Sequence, residues 1–171
     1  MFPTAPSCKG PTGGICSASS HLFGLIIKKG SPTMASITET AEKFVDACDS
    51  GKGWQECQQY CHSDATFSVQ AGTLADIETL EQYTGWAQGL LTPLPDASYE
   101  LKTLATDEER QIVTAYAVFS GTHTGDGGPV PPTGKSTETD YVYAMEFDGD
   151  KIRHVTKIWN DGFALAGLGW A

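Results

Sequence analysis

A chain of 171 residues that is 40% hydrophobic and 19% charged is long enough for one domain with a sizeable core, and its composition is that of an ordinary globular protein. A formal net charge of −10 with only two arginines, Arg110 and Arg153, argues against a surface that reads nucleic-acid phosphates. No apolar run approaches the roughly 20 residues that cross a bilayer, so no membrane partner is expected either.

The front of the chain is rich in Gly, Pro, Ser and Thr and holds no acid; Lys9, Lys28 and Lys29 are its only charges before Glu39. Such a segment cannot bury enough apolar surface to order itself. Residues 1–35 are therefore expected to be a disordered or targeting extension ahead of a domain over 36–171. Its apolar stretch at 22–27 is too short for a secretory signal, and its lack of Arg weakens a transit-peptide reading. Translation from Met1 or from Met34 stays open, as does an organelle rather than the expected cytoplasm. Five cysteines, with Cys8 and Cys16 in the extension and Cys48, Cys57 and Cys61 in expected helices, do not read as a disulfide framework and imply a reducing compartment.

A Ser-x-x-Glu capping box at Ser36 and Glu39 opens the first helix, because Ile37, Ala41, Phe44, Val45 and Cys48 then recur at helical spacing until Gly51 and Gly53 end it. Residues 54–60 read as a second short helix. Cys57, Cys61 and His62 form a C-x3-C-H cluster without the further ligands of structural zinc, so buried small positions are expected there and no metal. His62-Ser63-Asp64 leads into a strand at 65–69. A third helix is expected over 76–91, stopped by Pro93 and Pro95. Strands follow at 98–105 and 111–122, joined by a turn at 106–109.

Beyond them lie Gly121-Thr122-His123-Thr124-Gly125 and Pro131-Pro132-Thr133-Gly134. Two strands at 137–147 and 151–159 then flank Asp148-Gly149, a strong hairpin signal. Alternation places Tyr141, Tyr143 and Met145 on one face of the first strand. It places Arg153, Val155, Lys157 and Trp159 on one face of the second, with His154 on the other. Residues 162–168 are too Gly-rich for a long helix and are expected to cover the mouth of a pocket or a neighbouring subunit.

Helices followed by mostly antiparallel strands make an α+β pattern in which a curved sheet wraps three N-terminal helices and leaves a pocket between. Trp54, Phe67, Trp86, Phe119, Val155 and Trp159 are candidate walls for a small-molecule ligand; plain core packing is the other reading. An exposed sheet face suits a homodimer.

The Gly121–Gly125 segment, the Pro-Pro-Thr-Gly turn, Ser136-Thr137-Glu138 and Asp148-Gly149-Asp150-Lys151-Ile152, in that order and spacing, resemble the SnoaL-like polyketide cyclase family of the nuclear transport factor 2-like superfamily. The resemblance implies a cone-shaped α+β barrel, commonly dimeric. It also implies acid/base chemistry from a carboxylate on the last strand, where this chain has Lys157. At Tyr143 relatives often carry His or Asp.

Three residues could do chemistry. A buried Lys157 would have its ammonium form disfavoured, and a neutral amine serves as a base or a Schiff-base nucleophile; alternatively Lys157 pairs with Glu138 or Asp140, or reaches the pocket rim. His123 is an acid/base by type, which the family resemblance of its Gly-Thr-His-Thr-Gly segment would put near the pocket mouth, or else a loop histidine bonded to backbone near Asp126. Tyr143 can donate a hydrogen bond to a carbonyl oxygen. No G-x-S-x-G elbow, P-loop, dinucleotide fingerprint or H-E-x-x-H is present, so no cofactor is expected. The expected function is a cofactor-independent isomerase, cyclase or hydrolase acting on an apolar carbonyl compound. The alternatives are a non-catalytic module binding a hydrophobic or anionic molecule, and a dimerisation domain with a collapsed cavity.

Overall fold

In a computed structural model, residues 35–171 are described; the expectations for the N-terminal extension, with Cys8, Cys16 and Met34, lie outside the described residues. Helix α1 (Ile37–Asp49) starts where the Ser36 hydroxyl accepts the Glu39 N–H at 3.2 Å, and only this half of the expected capping box forms. Its stripe of Ile37, Ala41, Phe44, Val45 and Cys48 is buried in the core. Each large apolar side chain taken fully from water there contributes about 1.5–3 kcal/mol.

Helix α2 (Trp54–Cys57) tightens into a 3-10 turn at Gln58–Tyr60 and runs straight into β1 (Cys61–Val69). That strand begins earlier than expected because Cys61 already pairs with Ile152. Helix α3 (Leu80–Gly89) begins later than Asp76, for a local reason. Thr79 accepts from the Gln82 N–H while the Gln82 side chain accepts from the Thr79 N–H, a complete capping box that fixes the start.

Strands β2 (Ser98–Asp107), β3 (Ile112–Thr122), β4 (Ser136–Asp148) and β5 (Lys151–Trp159) follow, and α4 (Asp161–Leu168) closes the chain. Gly149 has φ +65° in the turn between β4 and β5, where any Cβ would be strained. The Gly-rich stretch, too rich in glycine for a long helix, forms a short one of eight residues, capped by Asn160 and ended by Gly169 in the left-handed conformation.

The sheet order is β1-β5-β4-β3-β2, with β1 parallel to β5 and the other pairs antiparallel. This is an α+β cone: a curved open sheet packed on α1 and α3, with α4 lying against β4. Ala115 and Ala117 of β3 stand opposite Tyr143 and Tyr141 of β4, so small residues leave room for the two phenol rings. One face assignment needs correction. A bulge in β5 pairs Ile152 with Phe147 and His154 with Glu146, leaving Arg153 as the extra residue. Strict alternation would turn Arg153 inward; the bulge sends it outward to an ion pair with Glu146 at 2.7 Å, while Val155 and Lys157 stay inside. Among the described residues no helix is long and apolar enough to cross a membrane.

Candidate functional site

The register between β4 and β5 sets Tyr143 beside Lys157 and Tyr141 beside Trp159. All four side chains point towards α1 and α3. From α1 comes Asp49, one helical turn beyond the buried Val45; from α3 comes Tyr83, fully buried and stacked on Phe67 of β1 at 4.1 Å between ring centroids. The result is a single hydrogen-bonded chain. Lys157 Nζ donates to Tyr83 Oη at 2.8 Å, the Tyr83 and Tyr143 hydroxyls lie 2.5 Å apart, and Tyr143 donates to Asp49 Oδ1 at 2.8 Å. Tyr141 donates to the other oxygen, Oδ2, at 2.5 Å.

Asp49 sets the direction of that chain. An ionised carboxylate only accepts, so the Tyr143 proton is spent on it and Tyr143 must accept from Tyr83. Tyr83 in turn has no proton left for the amine and accepts from Lys157. Lys157 meets no carboxylate directly, and neither it nor Asp49 belongs to an ion pair among the described residues.

Five aromatic rings surround the amine: the Nζ lies 4.6 Å from the Tyr141 centroid, 5.0 Å from Trp159, 5.2 Å from Tyr83, 5.4 Å from Tyr143 and 5.8 Å from Trp86. Burial lowers the Lys157 pKa to about 8, an effect partly opposed by the negative charge of Asp49. Burial also raises the Asp49 pKa, against the pull of Lys157 and the two tyrosine hydroxyls. The Tyr83 and Tyr143 hydroxyls are held well above the usual phenol range, chiefly by burial, so neither is a phenolate near neutrality.

The amine borders a small inner chamber of about 50 Å³, which also touches Asp49, Tyr83 and Tyr141. An outer chamber of about 280 Å³ adjoins it, and Trp86, Leu90, Phe119 and Trp159 line both. Its remaining wall comes from α4 and Trp170, together with Thr73, Leu94, Pro129 and Thr137. The walls are largely apolar, and the charged groups, Asp49 and Lys157, lie at the inner end.

The sequence candidates divide accordingly. Lys157 and Tyr143 meet through Tyr83, and Trp86, Phe119 and Trp159 line the chambers. The alternative pairing of Lys157 with Glu138 or Asp140 does not form; Asp140 sits on the outer face and accepts from Tyr116. Phe67 acts at one remove, as the plate behind Tyr83. Val155 is core, paired with Met145 and Phe67. Trp54 lies elsewhere, in a recess with Gln58, Cys61, His62 and Lys151. Cys57 and Cys61 are buried while His62 bonds the Asp148 carbonyl, and among the described residues the three form no group that could hold a metal.

His123 is fully buried but not among the residues lining either chamber. Its Nδ1 accepts from the Trp170 indole N–H at 2.8 Å, which puts the ring proton on Nε2. Among the described residues no partner meets that Nε2, and Gly128 lies so close that a Cβ would stand 2.6 Å from it. His123 thus positions Trp170, a wall of the outer chamber. His154 is on the outer face, bonded to Thr66 at 2.7 Å and to Ser68.

The family model for SnoaL-like polyketide cyclases matches residues 39–166. The chain belongs to the SnoaL-like polyketide cyclase family. Solved structures share its cone fold: IdmH of Streptomyces antibioticus has a TM-score of 0.64 at 22% identity, over 79% of this chain and 99% of that one. A SnoaL-like polyketide cyclase of Agrobacterium tumefaciens has a TM-score of 0.57 at 15% identity, over 76% and 95%. A protein of Catenulispora acidiphila with a ketosteroid isomerase-like fold, in complex with trimethylamine, has a TM-score of 0.57 at 16% identity, over 78% and 94%. No curated protein matches the chain.

Asp49 and Tyr83, both on helices, are members of the candidate site that strand alternation does not reach, whereas alternation placed Tyr141 beside Tyr143 without giving it a role. For Asp49 a signal existed. It continues the stripe of Ala41 and Val45 at helical spacing, and a carboxylate at a helix C-terminus opposes the helix dipole, so it needs another partner.

Proposed function

We propose that this SnoaL-like protein is a cofactor-independent isomerase or cyclase that moves a proton next to the carbonyl of an apolar compound, with Lys157 as the base. The observation that carries this reading is the direction of the Asp49–Tyr143–Tyr83–Lys157 chain. Because Tyr83 accepts from the amine, it leaves the nitrogen lone pair of a neutral Lys157 free to face the inner chamber. An amine with a pKa of about 8 is present in both forms near neutrality, as a base that must give its proton back requires. The ammonium it becomes is held by the negative charge of Asp49 and by the surrounding ring faces. The apolar part of the compound takes the outer chamber and its carbonyl end the inner one.

The homodimer expected from the sequence is part of this reading: the outer sheet face exposes Tyr116 and Ile158, the latter at 64%, away from the chambers. A non-catalytic binding module would use the same chambers, with Lys157 supplying the charge. What supports that rival is Asp49, the only carboxylate lining the inner chamber among the described residues, whose two oxygens are both engaged by tyrosines.

The probe 2-tetralone separates the two. Exchange of its α-protons for deuterium, followed by NMR in heavy water, should be catalysed by the parent and rise with pH through about 8, where Lys157 loses its proton. In Lys157→Met it should fall on the order of 100-fold or more. Quenching of tryptophan fluorescence by 2-tetralone without any catalysed exchange would leave the binding module as the function.

A further inference from the structure

Lys157 is the only buried lysine among the described residues. Lys52 and Lys102 are exposed and paired with Asp46 and Glu100, and Lys43 and Lys135 are exposed as well. An ammonium has three N–H donors, yet Tyr83 is the only hydrogen-bond partner of this one among the described residues. Such a desolvated cation is costly, and its neutral form has an unshared lone pair at the edge of a chamber too small for more than the end of a molecule.

We propose that Lys157 is a covalent nucleophile whose amine condenses with the carbonyl carbon of an apolar aldehyde or ketone to form an imine. This deepens the reading above and rests on its claim that the chambers take a carbonyl compound. The nitrogen lone pair forms the new C–N bond as the carbonyl π bond breaks towards oxygen. The two amine protons then pass to that oxygen, the C–O bond breaks, and water leaves by the outer chamber. Nothing is oxidised or reduced. A proton from solvent converts the imine to an iminium, whose N–H takes the place of the amine N–H on Tyr83.

Three features suit that cation better than they suit a resting lysine. The rings of Trp86, Tyr141, Tyr143 and Trp159 around Nζ can stabilise a delocalised iminium. The Asp49 charge favours the cation without touching it, so no carboxylate stands where the carbonyl carbon must approach. Tyr141 and Tyr143 saturate Asp49, which keeps Tyr83 an acceptor and the lone pair unblocked. Asp49, Tyr83 and Tyr143 are positioning residues for this step, and Lys157 is the catalytic one.

The test treats the full chain with sodium borohydride in the presence of 2-tetralone and, separately, of the smaller probe benzaldehyde, and maps the reduced adduct by peptide mass spectrometry. The adduct is expected on Lys157 and is expected to vanish in Lys157→Arg, which keeps the charge and is checked for folding by thermal unfolding. In parallel, water labelled with oxygen-18 reports the bond that only an imine breaks. Parent protein should exchange the 2-tetralone carbonyl oxygen at least about tenfold faster than Lys157→Arg. An adduct spread over the exposed lysines, or none with either probe, overturns the proposal. Catalysed α-proton exchange without oxygen exchange also overturns it while leaving Lys157 a simple base, whereas loss of both exchanges removes the base as well.

Discussion

The Lys157→Met variant is expected to be more stable than the parent at pH 7, by about 1–3 kcal/mol, although it loses the chemistry. Lys157 is 8% exposed, and its pKa falls from 10.5 in the unfolded chain to about 8 in the fold. Below pH 8 the amine is charged in both states, and the folded protein carries the full cost of burying that charge. As pH rises from about 8 towards 10.5 the folded amine is already neutral while the unfolded one still holds its proton, so the parent gains stability. Above 10.5 the cost is gone. Methionine fills a similar volume without a charge. Part of the gain is returned, because Asp49 loses the cation that favours its ionised form. Urea unfolding at pH 7 and at pH 9.5 checks this: the variant's advantage should shrink by roughly half at the higher pH. A variant less stable than the parent at pH 7 would mean that the fold does not hold the amine under strain.

Asp49→Asn is expected to slow α-proton exchange by roughly tenfold or more and to move its pH midpoint to the acid side of 8 by up to about one pH unit. The negative charge of Asp49 is the first influence holding the Lys157 pKa up against burial. Without it the amine loses its proton more readily and becomes a weaker base. The carboxamide also breaks the direction of the chain. It can accept from one of Tyr141 and Tyr143 but tends to donate to the other, so Tyr83 is no longer forced to accept from Lys157. A profile measured from pH 6 to 10 separates the effects: the charge moves the midpoint, and the lost direction lowers the plateau. An unmoved midpoint would show that Asp49 and Lys157 are not electrically coupled. The other titratable groups facing the amine are Tyr83, Tyr141, Tyr143 and Cys48; all four are held in their neutral forms by raised pKa values.

What the sequence made legible was local. The Asp148-Gly149 turn fixed a hairpin, and the hairpin fixed Tyr143 beside Lys157 with both pointing inward. The stripe of α1 was equally plain. The bulge at Arg153 was not, because an extra residue in one strand leaves no mark in the run of Ile, Arg, His and Val around it. The start of α3 was misplaced for want of weighing Thr79 and Gln82, whose spacing is that of a capping box.

The polar chain lay furthest from reach. Its links join residues 74 and 94 positions apart, Lys157 to Tyr83 and Tyr143 to Asp49, and only the packed cone decides that these meet. Tyr83 reads in sequence as one more apolar position on α3, and its hydroxyl becomes informative only beside Tyr143. His123 illustrates the opposite case. Its residue type suggested chemistry, but its ring is taken by Trp170, a contact that depends on how the last residues fold back.

The most direct measurement is the titration of Lys157 itself, followed through the side-chain nitrogen shift in protein carrying labelled lysine and assigned by comparison with Lys157→Arg. A buried amine in an aromatic chamber should titrate near pH 8. A midpoint at the ordinary lysine value of about 10.4 would show an amine in contact with water, and both the base and the nucleophile assigned to it would fall.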